Sequence, residues 1–315
     1  MTETEEKSSV YTVRRKRKIL TFYSLAKSEE KSSEKEKYMK VVVIGGRGML
    51  GRAVLDACQR DGWEVAGYDL PELDITKMDG REVEQADWVV NCAAYTQVDK
   101  AETEPTKAFE VNACGAGRVA RMCQERGIRH LYVSTDYVFD GEKHEPLDED
   151  DQTGPVNLYG YSKLIGEKLV RLECPDTLIV RTQSLFGKFG VNFVEAILKQ
   201  VTTGKKELSV VDDQYSCPTY VVHLAKAMVK LMLLGEGEIV HVSAEGGMSW
   251  YEFAKLILKE AGRDVVVNPL KSFDGRPVKA ERPAYSVLSK ARYKVITGEG
   301  MPTVVEGLRE YLETR

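Results

Sequence analysis

The apolar run Val41–Ile44, followed at once by Gly45-Gly-Arg-Gly-Met-Leu-Gly51, leaves few folds open. A short continuous apolar run suits a strand buried on both faces. Glycines 45, 48 and 51 sit between that strand and an amphipathic stretch, Met49 to Asp61, that reads as a helix. A strand, a tight glycine turn and a helix N-terminus together let backbone approach a pyrophosphate closely and present amides to it. Gly45, Gly48, Met49, Leu50 and Gly51 are therefore expected to cradle a dinucleotide.

The pattern of short apolar runs and longer amphipathic stretches continues. Glu64–Tyr68 and Trp88–Cys92 read as strands, a helical stretch covers Thr106–Arg126, and His130–Ser134 and Thr177–Arg181 supply two more strands. Alternation of this kind predicts an α/β fold, a doubly wound parallel (Rossmann-type) sheet with right-handed crossovers. The expected division is a dinucleotide-binding part over 39–183, to which the chain returns within 218–242, and a smaller C-terminal substrate lobe mainly over 184–315. Residues 1–38, rich in Lys, Glu and Ser, lack a hydrophobic period. Arg14-Arg-Lys-Arg-Lys18 before the short stretch Ile19–Ala26 is a faint signal-peptide pattern; a disordered tail, or translation beginning at Met39, accounts for it better.

Charge and cysteine usage remove other classes. A net charge of −4 lacks the basic excess of a duplex nucleic-acid binder. The six cysteines include no Cys-x-x-Cys pair, and the four histidines no His-x-x-x-His pair, so neither zinc nor a disulfide framework is indicated. They read as reduced thiols of a cytoplasmic protein. No apolar run approaches the roughly 20 residues that span a bilayer.

Asp69 closes the second strand 18 positions after Gly51, where an acid binds adenosine ribose hydroxyls. It favours NADH, whereas Arg47 in the turn favours the 2′-phosphate of NADPH, so either cofactor is expected. Asp74 and Ile75 have the spacing of a loop over the adenine. Ala93, Ala94 and the adjoining Tyr95 follow the run Trp88–Cys92, where small residues admit a nicotinamide ribose. Farther on, Thr135 lies at the carboxyl end of a strand, where ligands of open α/β sheets collect, followed by Asp136 and Tyr137. Tyr159 and Lys163, spaced i and i+4, share a helix face. A cation near a phenol makes its proton easier to give up. Together with the glycine turn, the pair points to ketone reduction with a nicotinamide.

These strings resemble a known family. Asn91-Cys-Ala-Ala-Tyr-Thr-Gln-Val-Asp-Lys-Ala-Glu102, Ser134-Thr-Asp-Tyr-Val-Phe-Asp-Gly141 and Asn157-Leu-Tyr-Gly-Tyr-Ser-Lys163 look like dTDP-4-dehydrorhamnose reductase, an extended short-chain dehydrogenase/reductase. Similarity continues through Arg181-Thr182, Val211-Asp-Asp-Gln214, Pro218-Thr219 and Arg282-Pro283. The resemblance implies that NADPH or NADH reduces the C4 ketone of a dTDP-linked 4-keto-6-deoxysugar. Tyr159 would donate the proton, Lys163 would lower the phenol pKa and hold the ribose, Thr135 would bond the carbonyl oxygen, and Asp136 would assist. Tyr137 and Arg282 are expected beside the sugar nucleotide, with Lys199, Lys205, Lys206 and Arg276 as further candidates for its diphosphate. Some relatives are magnesium-dependent homodimers, but no magnesium motif carries over. Two other readings share the scaffold: a nucleotide-sugar epimerase that retains its NAD, and a regulatory subunit like the β subunit of methionine adenosyltransferase. One departure stands out. The family reads Ser-Trp-x-Tyr-Gly where this chain has Gln183-Ser-Leu-Phe-Gly187, so Ser184 replaces an indole, with Tyr137 or Phe186 as candidate substitutes.

Overall fold

The apolar runs become the inner strands of one parallel sheet. The computed structural model describes residues 39–78, 83, 85–235, 237–272 and 280–315. Strands β1 (Lys40–Ile44), β2 (Glu64–Tyr68), β3 (Trp88–Asn91), β4 (Arg129–Thr135), β5 (Leu178–Thr182) and β6 (Ile239–His241) lie in the order β6-β5-β4-β3-β1-β2. All five pairings are parallel. β3 and β5 are buried along their whole length, which is why they carry no polar alternation. The doubly wound α/β expectation holds.

Helices cover the sheet in packed pairs. Helix Met49–Arg60 packs on Val221–Leu234, and Ala116–Arg126 on Leu158–Glu173. Val42, Ile44, Val89, Val119 and Cys123 form one apolar cluster, and Ala120, Tyr132, Val170 and Ile179 another. The helical stretch expected over Thr106–Arg126 begins at Pro105 and contains a π-helical segment, Glu110–Gly115. Such single-turn widening is typical of functional regions. Here it sets Asn112 to join three elements. Its side chain bonds Tyr95 N (2.8 Å), Tyr95 O (3.0 Å) and Ser162 Oγ (2.9 Å), while its carbonyl accepts from Tyr132 Oη (2.9 Å). Gly166 permits this approach, since a Cβ there would stand 2.2 Å from Asn112 O.

After β5 the chain builds a second apolar centre. Phe186 contacts Tyr220, Phe253 and Tyr311, each at a centroid distance of 5.7 Å. Helices Phe193–Thr202, Trp250–Glu260 and Val304–Thr314 pack around it. Between helices Val221–Leu234 and Trp250–Glu260 the chain returns to the sheet as β6, clasped at its end by His241 N donating to Glu149 Oε1 at 2.8 Å. Because β1 has β2 on one side and β3 on the other, the winding reverses between β1 and β3. Open α/β sheets hold ligands outside the carboxyl ends of strands at such a reversal.

Candidate active site

A cavity of about 830 Å³ opens there. Gly45 leaves β1 at φ +79° and donates its N–H to Tyr68 O at 2.8 Å. Gly51 is required by close approach, since a Cβ there would meet Gly45 O at 2.1 Å. Gly48 caps helix Met49–Arg60 without a side-chain hydrogen bond, which leaves first-turn amides open to an anion. These features, in a cavity of ligand-holding size, fit a dinucleotide. Gly45, Gly48, Met49, Leu50, Gly51, Asp69, Asp74, Ile75, Ala93, Ala94 and Tyr95, the residues expected at the cofactor, all line this cavity.

The two groups expected to choose the cofactor are differently placed. Asp69 lines the cavity, its carboxylate accepting from Arg47 N (3.1 Å) and Leu70 N (2.9 Å). The Arg47 guanidinium turns outward to Leu70 O (3.1 Å) and to the Glu72 carboxylate, whose pKa it holds down. Asp74 accepts from Thr76 N and Oγ1, at 2.9 and 2.7 Å, and these bonds keep its pKa low.

Thr135, Tyr159 and Lys163 line the same cavity. Asn157 begins helix Leu158–Glu173 by accepting from Gly160 N (2.8 Å), and its amide donates to Glu281 O (2.7 Å). The helix is thereby fixed at the end that carries Tyr159. Burial pushes the Tyr159 phenol up to about 12; a Thr135 hydrogen bond pulls it down and the Asp136 charge adds to the rise. Lys163 Nζ donates to Val133 O at 2.6 Å and stands 4.1 Å from the Tyr132 ring centroid. Burial lowers its pKa to about 7, opposed mainly by Glu167. In this arrangement burial, Thr135 and Asp136 act on the phenol, while the Lys163 ammonium is held by the Val133 carbonyl. A buried cation takes the nearest strand carbonyl to satisfy its own N–H groups.

Asp136 requires a correction. It is buried behind Thr135 and does not line the cavity. Its oxygens accept from Thr135 Oγ1 (3.0 Å) and Ser286 Oγ (2.6 Å). Burial raises its pKa to about 7 against the pull of those two bonds. Asp136 therefore acts on the cavity through Thr135 rather than by touching substrate. Tyr137 and Arg282 also stand outside the lining. Tyr137 meets Tyr159 edge-on, with centroids 5.8 Å apart. Arg282 hydrogen-bonds Tyr137 and donates to Asp99 Oδ1 (2.8 Å) and Ala280 O (2.7 Å).

The lysine candidates are not brought to this cavity. Lys205 and Lys206 line a separate cleft of about 370 Å³ with Arg263 and Asp264, beyond the ends of helices Phe193–Thr202 and Trp250–Glu260. Cations are favoured beside helix C-termini, which explains them without a ligand. Lys199 lies in the last turn of Phe193–Thr202, and Arg276 lies outside the described residues. Ser184 does line the cavity, at φ +48° with its Oγ 2.8 Å from Ser216 Oγ. Phe186 does not replace the missing indole, being buried in the second apolar centre.

Sequence reasoning missed several groups. Thr96, Lys107, Thr182, Gln183 and the exposed Phe189 line the cavity. Ser134, also in the lining, donates to Glu167 Oε1 at 2.6 Å. Glu167 in turn accepts from Arg181 Nε (2.9 Å) and Nη2 (2.7 Å), a buried ion pair beneath the site. A Glu one turn past Lys163, facing an Arg on a buried strand, was the only signal for it. Among the described residues no cluster of three or more His, Cys, Asp or Glu could hold a metal ion, and no helix is long and apolar enough to cross a membrane.

Comparison with known proteins agrees with this geometry. Residues 39–315 match the family described as the RmlD substrate binding domain. The chain is 40% identical over 284 residues to the spore coat polysaccharide biosynthesis protein SpsK of Bacillus subtilis, covering 88% of this chain and 98% of that protein. It is 39% identical over 259 residues to dTDP-4-dehydrorhamnose reductase of Mycolicibacterium smegmatis, covering 80% and 79%. The crystal structure of dTDP-4-dehydrorhamnose reductase from Bacillus anthracis, in complex with NADP, superposes with a TM-score of 0.84 at 35% identity, covering 88% of this chain and all of that one. The chain belongs to the dTDP-4-dehydrorhamnose reductase family of oxidoreductases, as its motifs had implied.

Proposed function

We propose that this protein reduces the C4 ketone of dTDP-4-dehydro-L-rhamnose, or of a closely related dTDP-4-keto-6-deoxysugar, with NADPH or NADH. The observation that carries the reading is that Thr135, Tyr159 and Lys163 share one cavity with the glycine turn. A reduced nicotinamide, when bound, supplies the hydride.

The chain's own groups manage the proton. Tyr159 gives its proton to the carbonyl oxygen as negative charge develops there. Thr135 links the Tyr159 phenol to the Asp136 carboxyl. With a pKa of about 7, Asp136 can hold a proton near neutrality and return it through Thr135 to Tyr159. Lys163 uses one ammonium hydrogen on Val133 O, leaving two donors for ribose hydroxyls. Ser184 in place of the family's indole gives the sugar side a more polar wall, so related 4-keto sugars are expected to be accepted.

Incubation of the purified protein with dTDP-4-dehydrorhamnose and either cofactor tests the reading through loss of NAD(P)H absorbance. Tyr159→Phe should reduce turnover about a hundred- to ten-thousandfold while cofactor affinity is nearly retained. No turnover of any dTDP-4-keto sugar would overturn the proposal and favour a non-catalytic role.

A further inference from the structure

Among the described residues, five buried side-chain polar atoms have no hydrogen-bond partner: Trp88 Nε1, Asn91 Nδ2, His130 Nε2, Glu149 Oε2 and Thr182 Oγ1. Of the five residues, only Thr182 lines the cavity. Its side chain is 4% exposed, so bulk solvent does not readily satisfy the hydroxyl. Buried hydroxyls without partners are disfavoured and uncommon, and each such group in a native fold needs an explanation.

The position supplies one. Thr182 is the last residue of β5 and stands in register with Thr135, the last residue of β4. Neighbours in register on parallel strands project to the same face, so the two hydroxyls stand side by side at the carboxyl ends of the strands. Their circumstances differ. Thr135 is engaged by Asp136, Tyr137 N and the Tyr159 phenol, whereas Thr182 is engaged by nothing in the protein. The preceding pair, Ser134 and Arg181, is committed to Glu167. That commitment fixes both strand ends from below, so the Thr182 hydroxyl is preorganised rather than loose.

We propose that Thr182 is a further ligand-binding residue of this site. Its hydroxyl hydrogen-bonds a polar group at the reacting end, beside the atoms that Thr135 and Tyr159 serve. Two groups of the reductase reading, on which this inference rests, carry that chemistry: the carboxamide of the nicotinamide and a sugar hydroxyl next to the ketone. Either is a neutral donor and acceptor, which matches a threonine better than a charged partner would.

The test uses Thr182→Val, which keeps the β-branched shape and removes the hydroxyl, alongside Thr182→Ser, which keeps it. Three quantities are read: melting temperature without ligands, NADPH affinity by fluorescence titration without sugar, and KM for dTDP-4-dehydrorhamnose at saturating NADPH. Thr182→Val should melt no lower than wild type, because the hydroxyl it loses has no protein partner. One of the two ligand measurements should weaken roughly three- to tenfold, the usual worth of a neutral hydrogen bond, and Thr182→Ser should restore it. Weaker NADPH binding assigns the partner to the carboxamide; a raised KM alone assigns it to the sugar. Both ligand measurements within twofold of wild type overturn the inference, whatever the melting temperature. Should Thr182→Val fail to fold, Thr182→Ala against Thr182→Ser gives the same comparison. A wild-type protein that binds neither NADPH nor NADH overturns the reductase reading itself, and that result is distinct from a wild-type-like Thr182→Val.

Discussion

Lys163 places a cation where the fold would be more stable without one. Burial lowers its pKa from the ordinary 10.5 to about 7, and each pH unit between those values is worth about 1.4 kcal/mol. Well below pH 7 the ammonium is charged both folded and unfolded, and the folded protein carries the whole desolvation penalty, on the order of 5 kcal/mol. Above pH 7 the native state gives up the proton before the unfolded state does. Stability from this group therefore rises with pH until about 10.5. Lys163→Met removes the charge and keeps an unbranched apolar stem. It is expected to be more stable than wild type at pH 6, by less than the full penalty because the bond to Val133 O is lost. The sharper expectation is the trend: between pH 7 and 9 the advantage should shrink by about 2 kcal/mol. Urea unfolding of both proteins at pH 6, 7, 8 and 9 reads this directly. A stability difference that stays constant from pH 6 to 9 would refute the reasoning, since it would mean that the ammonium keeps its ordinary pKa in the fold. NADPH affinity of the same variant should fall, because the proposed function gives Lys163 the ribose hydroxyls.

Arg181→Met leaves Glu167 as an uncompensated buried carboxylate and should cost about 3–5 kcal/mol, seen as a lower thermal midpoint; the double variant with Glu167→Leu should recover most of the loss. Asp136→Asn should remove a limb near pH 7 from the kcat/KM profile, because wild-type Asp136, with a pKa of about 7, loses its proton as pH rises through that value. A profile that keeps the limb would exclude Asp136 as the proton reservoir. Asp69→Ala should raise NADPH use relative to NADH, measured as the ratio of kcat/KM values; an unchanged ratio would place Asp69 away from the ribose.

Much of the site was legible because its signals are local. The glycine turn, the run Val41–Ile44 and the Tyr159–Lys163 spacing each lie within a few residues, where period and steric demand fix the outcome. The rest depends on contacts between distant parts of the chain. Ser286 reaches Asp136 across 150 residues and Arg282 reaches Asp99 across 183, and nothing in the local pattern of either residue announces its partner. Lys163 shows the same limit at short range: helical spacing put it on the face of Tyr159, but the carbonyl of Val133 decided where its ammonium went. The π-helical segment at Glu110–Gly115 was invisible for another reason, because one widened turn barely disturbs a hydrophobic period.

The sixth strand has a consequence for biosynthesis. β6 completes the sheet beside β5, yet it is translated only after the intervening helices Phe193–Thr202 and Val221–Leu234. A nascent chain that has released β5 thus presents an open strand edge to its surroundings, and open edges recruit other strands. Arg181 and Glu149 wait over the same interval for His241, which bonds both in the finished fold. The strands up to Thr182 cannot close this border of the sheet as they leave the ribosome. Its vulnerable period lasts until residue 241 emerges, which makes this edge the place for a chaperone to act and for a prematurely terminated chain to aggregate.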